Sequence, residues 1–312
     1  MISKELIHTK VITTFHKKSF NTPLIGITGG KGGVGKTTAA VNIAFAIAAK
    51  GYRVAIVDAD VDAPNAAILT SLALNEPEQV YSMIPEFIET KCTRCGKCVK
   101  ACRRNALFMP SDSLPVLIGD CNGCETCMLV CPDNAIQKGS RPVGCTYKTQ
   151  SGSITLYTGE LYEGAEESAF VVSALQARLA KHADDFDIII VDTAPGTHCN
   201  VISALRGVDA AYAVTEPTPL GAHDLESILK LLNLFEIKSS IILNRSDLPG
   251  SESKIRTLVS EFKSDIPASI PMHESVEKSY AEGRPVVIMF PDSEPAKIFF
   301  TLSDSIIREY IR

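Results

Sequence analysis

Ten cysteines stand in this chain of 312 residues, and eight fall into two blocks with one rhythm. The blocks are Cys92-x2-Cys95-x2-Cys98-x3-Cys102 and Cys121-x2-Cys124-x2-Cys127-x3-Cys131. Three thiolates at i, i+3 and i+6 in a tight loop wrap three corners of an iron–sulfur cube. The fourth points away from that loop and completes the cluster of the other block. The spacing therefore predicts two [4Fe–4S] clusters. Cys92, Cys95, Cys98 and Cys131 would hold the first, and Cys121, Cys124, Cys127 and Cys102 the second. Paired CxxC motifs also bind zinc, but a third cysteine at the same interval in both blocks weighs against a zinc ribbon. A disulfide framework is disfavoured because the sequence opens without a secretory signal and a cytosolic chain keeps its thiols reduced. A cytoplasmic location is the expectation.

The second chemical signal is Gly30-Lys31-Gly32-Gly33-Val34-Gly35-Lys36-Thr37, which fits the phosphate-binding pattern G-x4-G-K-[ST]. A short apolar run, Leu24 to Thr28, precedes it and reads as a buried strand. An alanine- and isoleucine-rich stretch from Thr37 to Lys50 follows at helical spacing, closed by Gly51. Glycines let backbone N–H groups turn inward around phosphates at a helix N-terminus. Lys36 is placed to reach the β/γ-phosphates and the Thr37 hydroxyl to ligate Mg²⁺. ATP with Mg²⁺ is the expected ligand.

Two resemblances extend these readings. Residues 89–140 resemble a bacterial-type two-cluster ferredoxin. Pro132 follows Cys131 as in that family, but Arg103 stands where a second proline is usual, after Cys102. Lys91, Arg94, Lys97, Lys100, Arg103 and Arg104 make the first block basic. These charges compensate the negative clusters, or form a docking face for an acidic electron carrier. The extra lysine of the loop, Lys31, makes the chain similar to the deviant Walker A ATPases, which include MinD, ParA, the nitrogenase iron protein and the Mrp-type cluster carriers. The resemblance implies that Gly30, Gly32, Gly33, Val34, Gly35, Lys36, Thr37 and Thr38 hold the nucleotide. It also implies that Lys31 crosses a dimer interface to the nucleotide of the other subunit. The run Arg53 to Asp60 would be a second strand, with Asp58 near Mg²⁺ and Asp60 positioning the attacking water. Asp187 to Gly196 would run from Walker B into a switch, Asp192 holding Mg²⁺ through water and Gly196 sensing the γ-phosphate. Asn244, ending a strand from Ser239, would face adenine. The stretch Glu216-Pro-Thr-Pro-Leu-Gly-Ala-His223 also looks typical of ferredoxin-bearing MinD-like ATPases, and chemistry alone gives it no role.

Alternating strands and helices predict an α/β fold, a mostly parallel, doubly wound P-loop NTPase sheet with an inserted α+β ferredoxin-like module. The ATPase domain is expected at 1–88 and 141–312 and the insertion at 89–140, with parts of 63–88 and 141–186 as connectors and routes of coupling. Net charge −5 and pI near 5.7 argue against a dedicated nucleic-acid binder. The longest apolar stretch is broken by Asn42 and too short to span a bilayer. Pro295 to Arg312 is amphipathic, with Ile298, Phe299, Leu302, Ile306 and Tyr310 on one face. Its polar face lacks a basic bias, so it reads as a last core helix. Residues 1–22 have no assignment. Cys199, just beyond the second switch, invites comparison with an interfacial cluster ligand, and Cys145 less so; an idle buried thiol is the plainer reading of each.

Two functions compete. The first is a maturation factor, an ATP-dependent homodimer (or a heterodimer with a close paralogue) that assembles or delivers a metal cluster on an unidentified protein partner. The alternative is an ATP-gated reductase that passes electrons through its two clusters. A positioning ATPase of the partition type is a distant third, having no use for redox centres.

Overall fold

The computed structural model describes residues 12–311 apart from 112. In chain order the elements begin with β1 (Leu24–Thr28), α1 (Lys36–Ala48), β2 (Val54–Ala59), α2 (Ala66–Leu69) and β3 (Glu78–Phe87). The cysteine segment follows with α3 (Lys97–Ala101), β4 (Leu107–Phe108), β5 (Val116–Leu117) and α4 (Thr126–Leu129). Then come β6 (Ile136–Ser151), β7 (Ile154–Leu161), α5 (Ser168–Ala180), β8 (Ile188–Thr193), α6 (Cys199–Ala204) and β9 (Ala210–Thr215). The chain closes with α7 (Pro219–Leu234), β10 (Lys238–Asn244), α8 (Glu252–Glu261), β11 (Ala268–Ile270), α9 (Glu274–Ala281), α10 (Val286–Met289) and α11 (Glu294–Tyr310).

Among the described residues nine strands form one sheet in the order β11-β10-β9-β1-β8-β2-β7-β6-β3. From β11 to β7 every pairing is parallel, and β6 and β3 then extend the sheet antiparallel. The central strands are apolar runs buried along their whole length, because helices cover both faces. Residues of α5, α6, α7 and α8 pack one face and those of α1, α10 and α11 the other. The last helix is a core helix: Phe299, Leu302 and Ile306 are buried against α1, and the Ser303 hydroxyl donates to the Ile43 carbonyl at 3.3 Å.

The expected connectors hold more structure than their sequence suggested. β3 and β6 make a long antiparallel ribbon, from Glu78 opposite Thr146 to Phe87 opposite Ile136, and β7 returns from it to pair with β2. The cysteine segment, residues 88–135, hangs at the far end of this ribbon. β6 begins at Ile136, within the stretch 89–140. From the unassigned N-terminal stretch, Phe15 stacks on Phe235 with ring centroids 4.2 Å apart, and His16 Nε2 donates to the Phe235 carbonyl at 2.7 Å; its first eleven residues lie outside the described ones.

Candidate functional site

The glycine-rich loop runs from the end of β1 to Lys36 at the start of α1. Gly35 holds φ 97°, a left-handed turn that aims the first helical N–H groups into the loop. Asn244, at the tip of β10, donates from Nδ2 to the Val34 carbonyl at 2.8 Å. Its amide therefore braces the loop, a contact that the expected adenine-facing role did not include. A Cβ on Gly30 would fall 2.5 Å from the Asp224 Cβ, so only glycine lets the loop lie against α7. Lys36 is buried and its Nζ donates to the Lys31 carbonyl at 3.3 Å. Burial lowers its pKa, while Asp192 and Asp60 pull it back up. Thr38 follows in the first turn of α1, its carbonyl accepting from the Asn42 amide at 2.8 Å. Lys31 reaches Glu216, Nζ to Oε2 3.8 Å, and buried Glu216 also pairs with Arg245.

β2 and β8 are neighbours in register, which sets Asp58 directly opposite Asp192. Both are fully buried. Burial pushes Asp58 up to about 7, against the pull of N–H bonds from Ala66 (2.9 Å) and Asp60 (3.3 Å). Burial and then the charge of Asp58 raise Asp192 well above the usual carboxylate range, opposed by the Thr37 hydroxyl and Lys36. Neither carboxylate oxygen of Asp192 has a full hydrogen-bond partner. An orphaned buried carboxylate beside a threonine hydroxyl suits a hydrated divalent cation, so these residues fit Mg²⁺. Burial also raises Asp60, with Lys36 opposing. Gly196, at φ 90°, gives its N–H to the Gly29 carbonyl at 3.0 Å. Sensing a phosphate with that group requires this bond to part.

The two cysteine blocks fold alike. Left-handed backbone recurs at matching places, Arg94 with Gly123, Gly96 with Glu125 and Asn105 with Asn134, and α3 matches α4. The Cys102 sulfur accepts from Ala106 N–H at 3.4 Å, and the Cys131 sulfur accepts from Ala135 N–H at 3.3 Å. Cys92, Cys95, Cys98 and Cys131 line one cavity together with Phe87, Pro115 and Ile136. Cys121 and Cys124 are near enough to Cys127 to raise its pKa, though burial is the larger cause. Cys102 and Cys131 pack on a small core of Cys98, Leu107, Cys127 and Ile136. Among the described residues no group of three or more His, Cys, Asp or Glu is gathered to hold a metal ion; the first four thiols ring a cavity. That cavity brings together the four cysteines of the first expected ligand set. Cys199 is exposed at the start of α6, and Cys145 is buried in β6.

Contacts that the motifs did not reveal join the two sites. Asp62 accepts from Asn200 Nδ2 (3.2 Å) in α6 and from the Ser168 hydroxyl (2.7 Å) at the start of α5. One residue earlier, Glu167 pairs with Arg141 of β6 at 2.5 Å, and Glu166 lies 3.6 Å from Arg104 of the cysteine segment. At the other end of α5, buried Arg178 donates to the carbonyls of Thr146 (2.8 Å) and Glu76 (2.7 Å) and pairs with Glu78 at 3.1 Å. The alternation Asp58, Asp60, Asp62 was the one sequence hint of Asp62's place.

This loop, its paired carboxylates and the parallel sheet match a known domain. Residues 25–286 match the CobQ/CobB/MinD/ParA nucleotide binding domain family. The chain belongs to this family of MinD/ParA-type ATPases. A relative from Methanocaldococcus jannaschii, uncharacterized protein MJ0579, is 30% identical over 262 residues, covering 83% of this chain and 90% of its own length. An iron-sulfur cluster carrier protein of Aquifex aeolicus is 25% identical over 297 residues, covering 90% of this chain and 66% of its own. In fold, the ATPase resembles the septum site-determining protein MinD complexed with Mg-ADP from Pyrococcus horikoshii. There the TM-score is 0.59 at 19% identity, over 91% of this chain and 96% of that one. Among the described residues no helix is long and apolar enough to cross a membrane.

Proposed function

We propose that this ATPase is an iron–sulfur protein whose nucleotide state gates the use of two [4Fe–4S] clusters held in a ferredoxin-like module at 89–140. The observation that carries this reading is the mounting of the thiol-lined cavity. It sits on a ribbon stapled to α5 at both ends, and α5 is tied through Ser168 to Asp62, beside the loop of Asp58 and Asp60. In this reading Lys36 and the loop N–H groups hold the phosphates, Asp192 and Thr37 hold Mg²⁺, and Asp60 orients the attacking water. Lys31, loosely paired with Glu216, is free to leave for a second subunit's nucleotide. Cys92, Cys95, Cys98 and Cys131 hold one cluster and Cys121, Cys124, Cys127 and Cys102 the other. Such clusters supply one-electron storage and transfer.

Each block buries one thiol, Cys98 or Cys127, and exposes another, Cys95 or Cys124, which favours clusters anchored in place yet open to a redox partner, hence ATP-gated electron transfer. The second reading, assembly or delivery of a cluster on a partner, draws on the likeness to an iron-sulfur cluster carrier protein and on exposed Cys199 at the start of α6. One experiment separates them. Protein labelled with ⁵⁷Fe is reduced, freed of excess reductant and incubated without oxygen with ATP and cell extract. Electron transfer predicts oxidation of the protein with its iron retained, whereas delivery predicts ⁵⁷Fe appearing in an acceptor. Retention of both iron and electrons would sink the two readings together.

A further inference from the structure

The two cysteine blocks match in backbone but are opposed in charge. Position by position, Lys91 corresponds to Asp120, Arg94 to Gly123, Gly96 to Glu125 and Lys97 to Thr126; Asp133, the equivalent of Arg104, lies at the first block's cavity and accepts from the Thr93 hydroxyl at 2.7 Å. Each block also exposes one thiol at the equivalent place, Cys95 in the first and Cys124 in the second. Around Cys95 stand Lys91, Arg94 and Lys97, all exposed. Of these only Arg94 has an acidic neighbour within ion-pair reach among the described residues, Glu89 at 3.9 Å. Around Cys124 stand exposed Asp120 and half-buried Glu125, the latter paired with Lys138 at 2.5 Å, and Leu129 is 83% exposed at the end of α4. Near-symmetric folding with antisymmetric charge gives the segment two electrically different ends.

We propose that the Cys95 end is the docking face for an acidic one-electron carrier protein. The proposal rests on the reading that the thiols hold iron–sulfur clusters. Its chemistry would be a one-electron exchange: the reduced carrier would give up one electron, iron held by Cys92, Cys95, Cys98 and Cys131 would accept it, and no bond would form or break. Cations ringing an exposed ligand steer an anionic partner to the place where the path to iron is shortest. The Cys124 end, with exposed Asp120 and Glu125 paired to Lys138, offers no such ring of cations, so the carrier has one productive approach. A nucleic acid is also anionic, but it would gain nothing from the exposed thiol, and the acidic end opposes a long polyanion.

The test uses the full chain, purified without oxygen, with an acidic ferredoxin as probe and a single-stranded oligonucleotide as rival ligand. Calorimetry gives Kd and stopped-flow absorbance the second-order rate of electron transfer, each at low and high salt. Lys91→Glu with Lys97→Glu should weaken ferredoxin binding and slow transfer by about tenfold or more at low salt, the difference closing as salt rises. Asp120→Lys, the mirror change, should leave both within about twofold. Iron per chain is measured in every variant, so a lost cluster is not mistaken for lost docking. If wild type holds no iron, the iron–sulfur reading fails, while the Kd values still judge the docking face. Ferredoxin binding unchanged in the double variant, or an oligonucleotide binding the wild-type chain more tightly than ferredoxin does, overturns the proposal.

Discussion

Lys36 and Lys31 are both loop lysines, yet they sit in different surroundings and should fail differently. Lys36 is buried between the loop and two acids, so Lys36→Ala should cut ATP hydrolysis by about a hundredfold or more, measured as phosphate release. Lys31 is half exposed and only loosely paired, 3.8 Å from buried Glu216, so Lys31→Ala should keep nucleotide binding but lose ATP-dependent dimerisation and most hydrolysis, read by calorimetry and light scattering. Asp58 carries a pH signature. Its folded pKa of about 7 lies above the ordinary carboxylate value, so the native state holds a proton that the unfolded chain has already released. The stability it contributes is fully present below about pH 4 and is lost as pH rises through about 7. Without nucleotide or metal, Asp58→Asn should flatten that part of the curve of Tm against pH.

At the scale of elements, α5 is the piece to disturb. Arg178 fixes it to the ribbon from a buried position, so Arg178→Met should cost about 3 kcal/mol in denaturant unfolding, leaving Glu78 and two carbonyls short of a partner. Asp62→Ala leaves α5 in place but cuts its ties to Ser168 and Asn200. It should preserve ATP binding and iron content while uncoupling one from the other. Little of this was legible in sequence. The loop, the strands ending in Asp58 and Asp192 and the cysteine blocks announce themselves because spacing or an apolar run carries their chemistry. Nothing marks β3 and β6 in that way. Their residues alternate irregularly between sheet face and solvent, and β6 runs through Gly139, Pro142 and Gly144, which read as loop. The pairs Glu167–Arg141 and Glu166–Arg104 join residues whose closeness depends on that ribbon, so no local pattern foretells them.

For the whole molecule, the iron–sulfur reading predicts about eight iron and eight acid-labile sulfide per chain, assayed after anaerobic purification. Stoichiometric zinc without brown absorbance would end it. If the contacts from Asp62 to Arg104 transmit nucleotide state, ATP and reduction must influence each other equally. A coupling of roughly 1–3 kcal/mol corresponds to a midpoint shift of about 40–130 mV for one electron. Titrations with ADP, with an ATP analogue and without nucleotide, each run with and without cell extract, measure it. Identical potentials throughout would mean an ATPase carrying a passive wire.

The strand order also dictates a sequence of birth. β1, the first strand among the described residues, belongs inside the sheet, and both of its neighbours, β8 and β9, are made much later. Until they arrive the phosphate loop has no wall behind it. The ribbon pairs only with itself and with β7, so it and all eight block cysteines are complete by Leu161. On the iron–sulfur reading, a nascent chain therefore passes through a stage at which every proposed cluster ligand has been made but the nucleotide site has not.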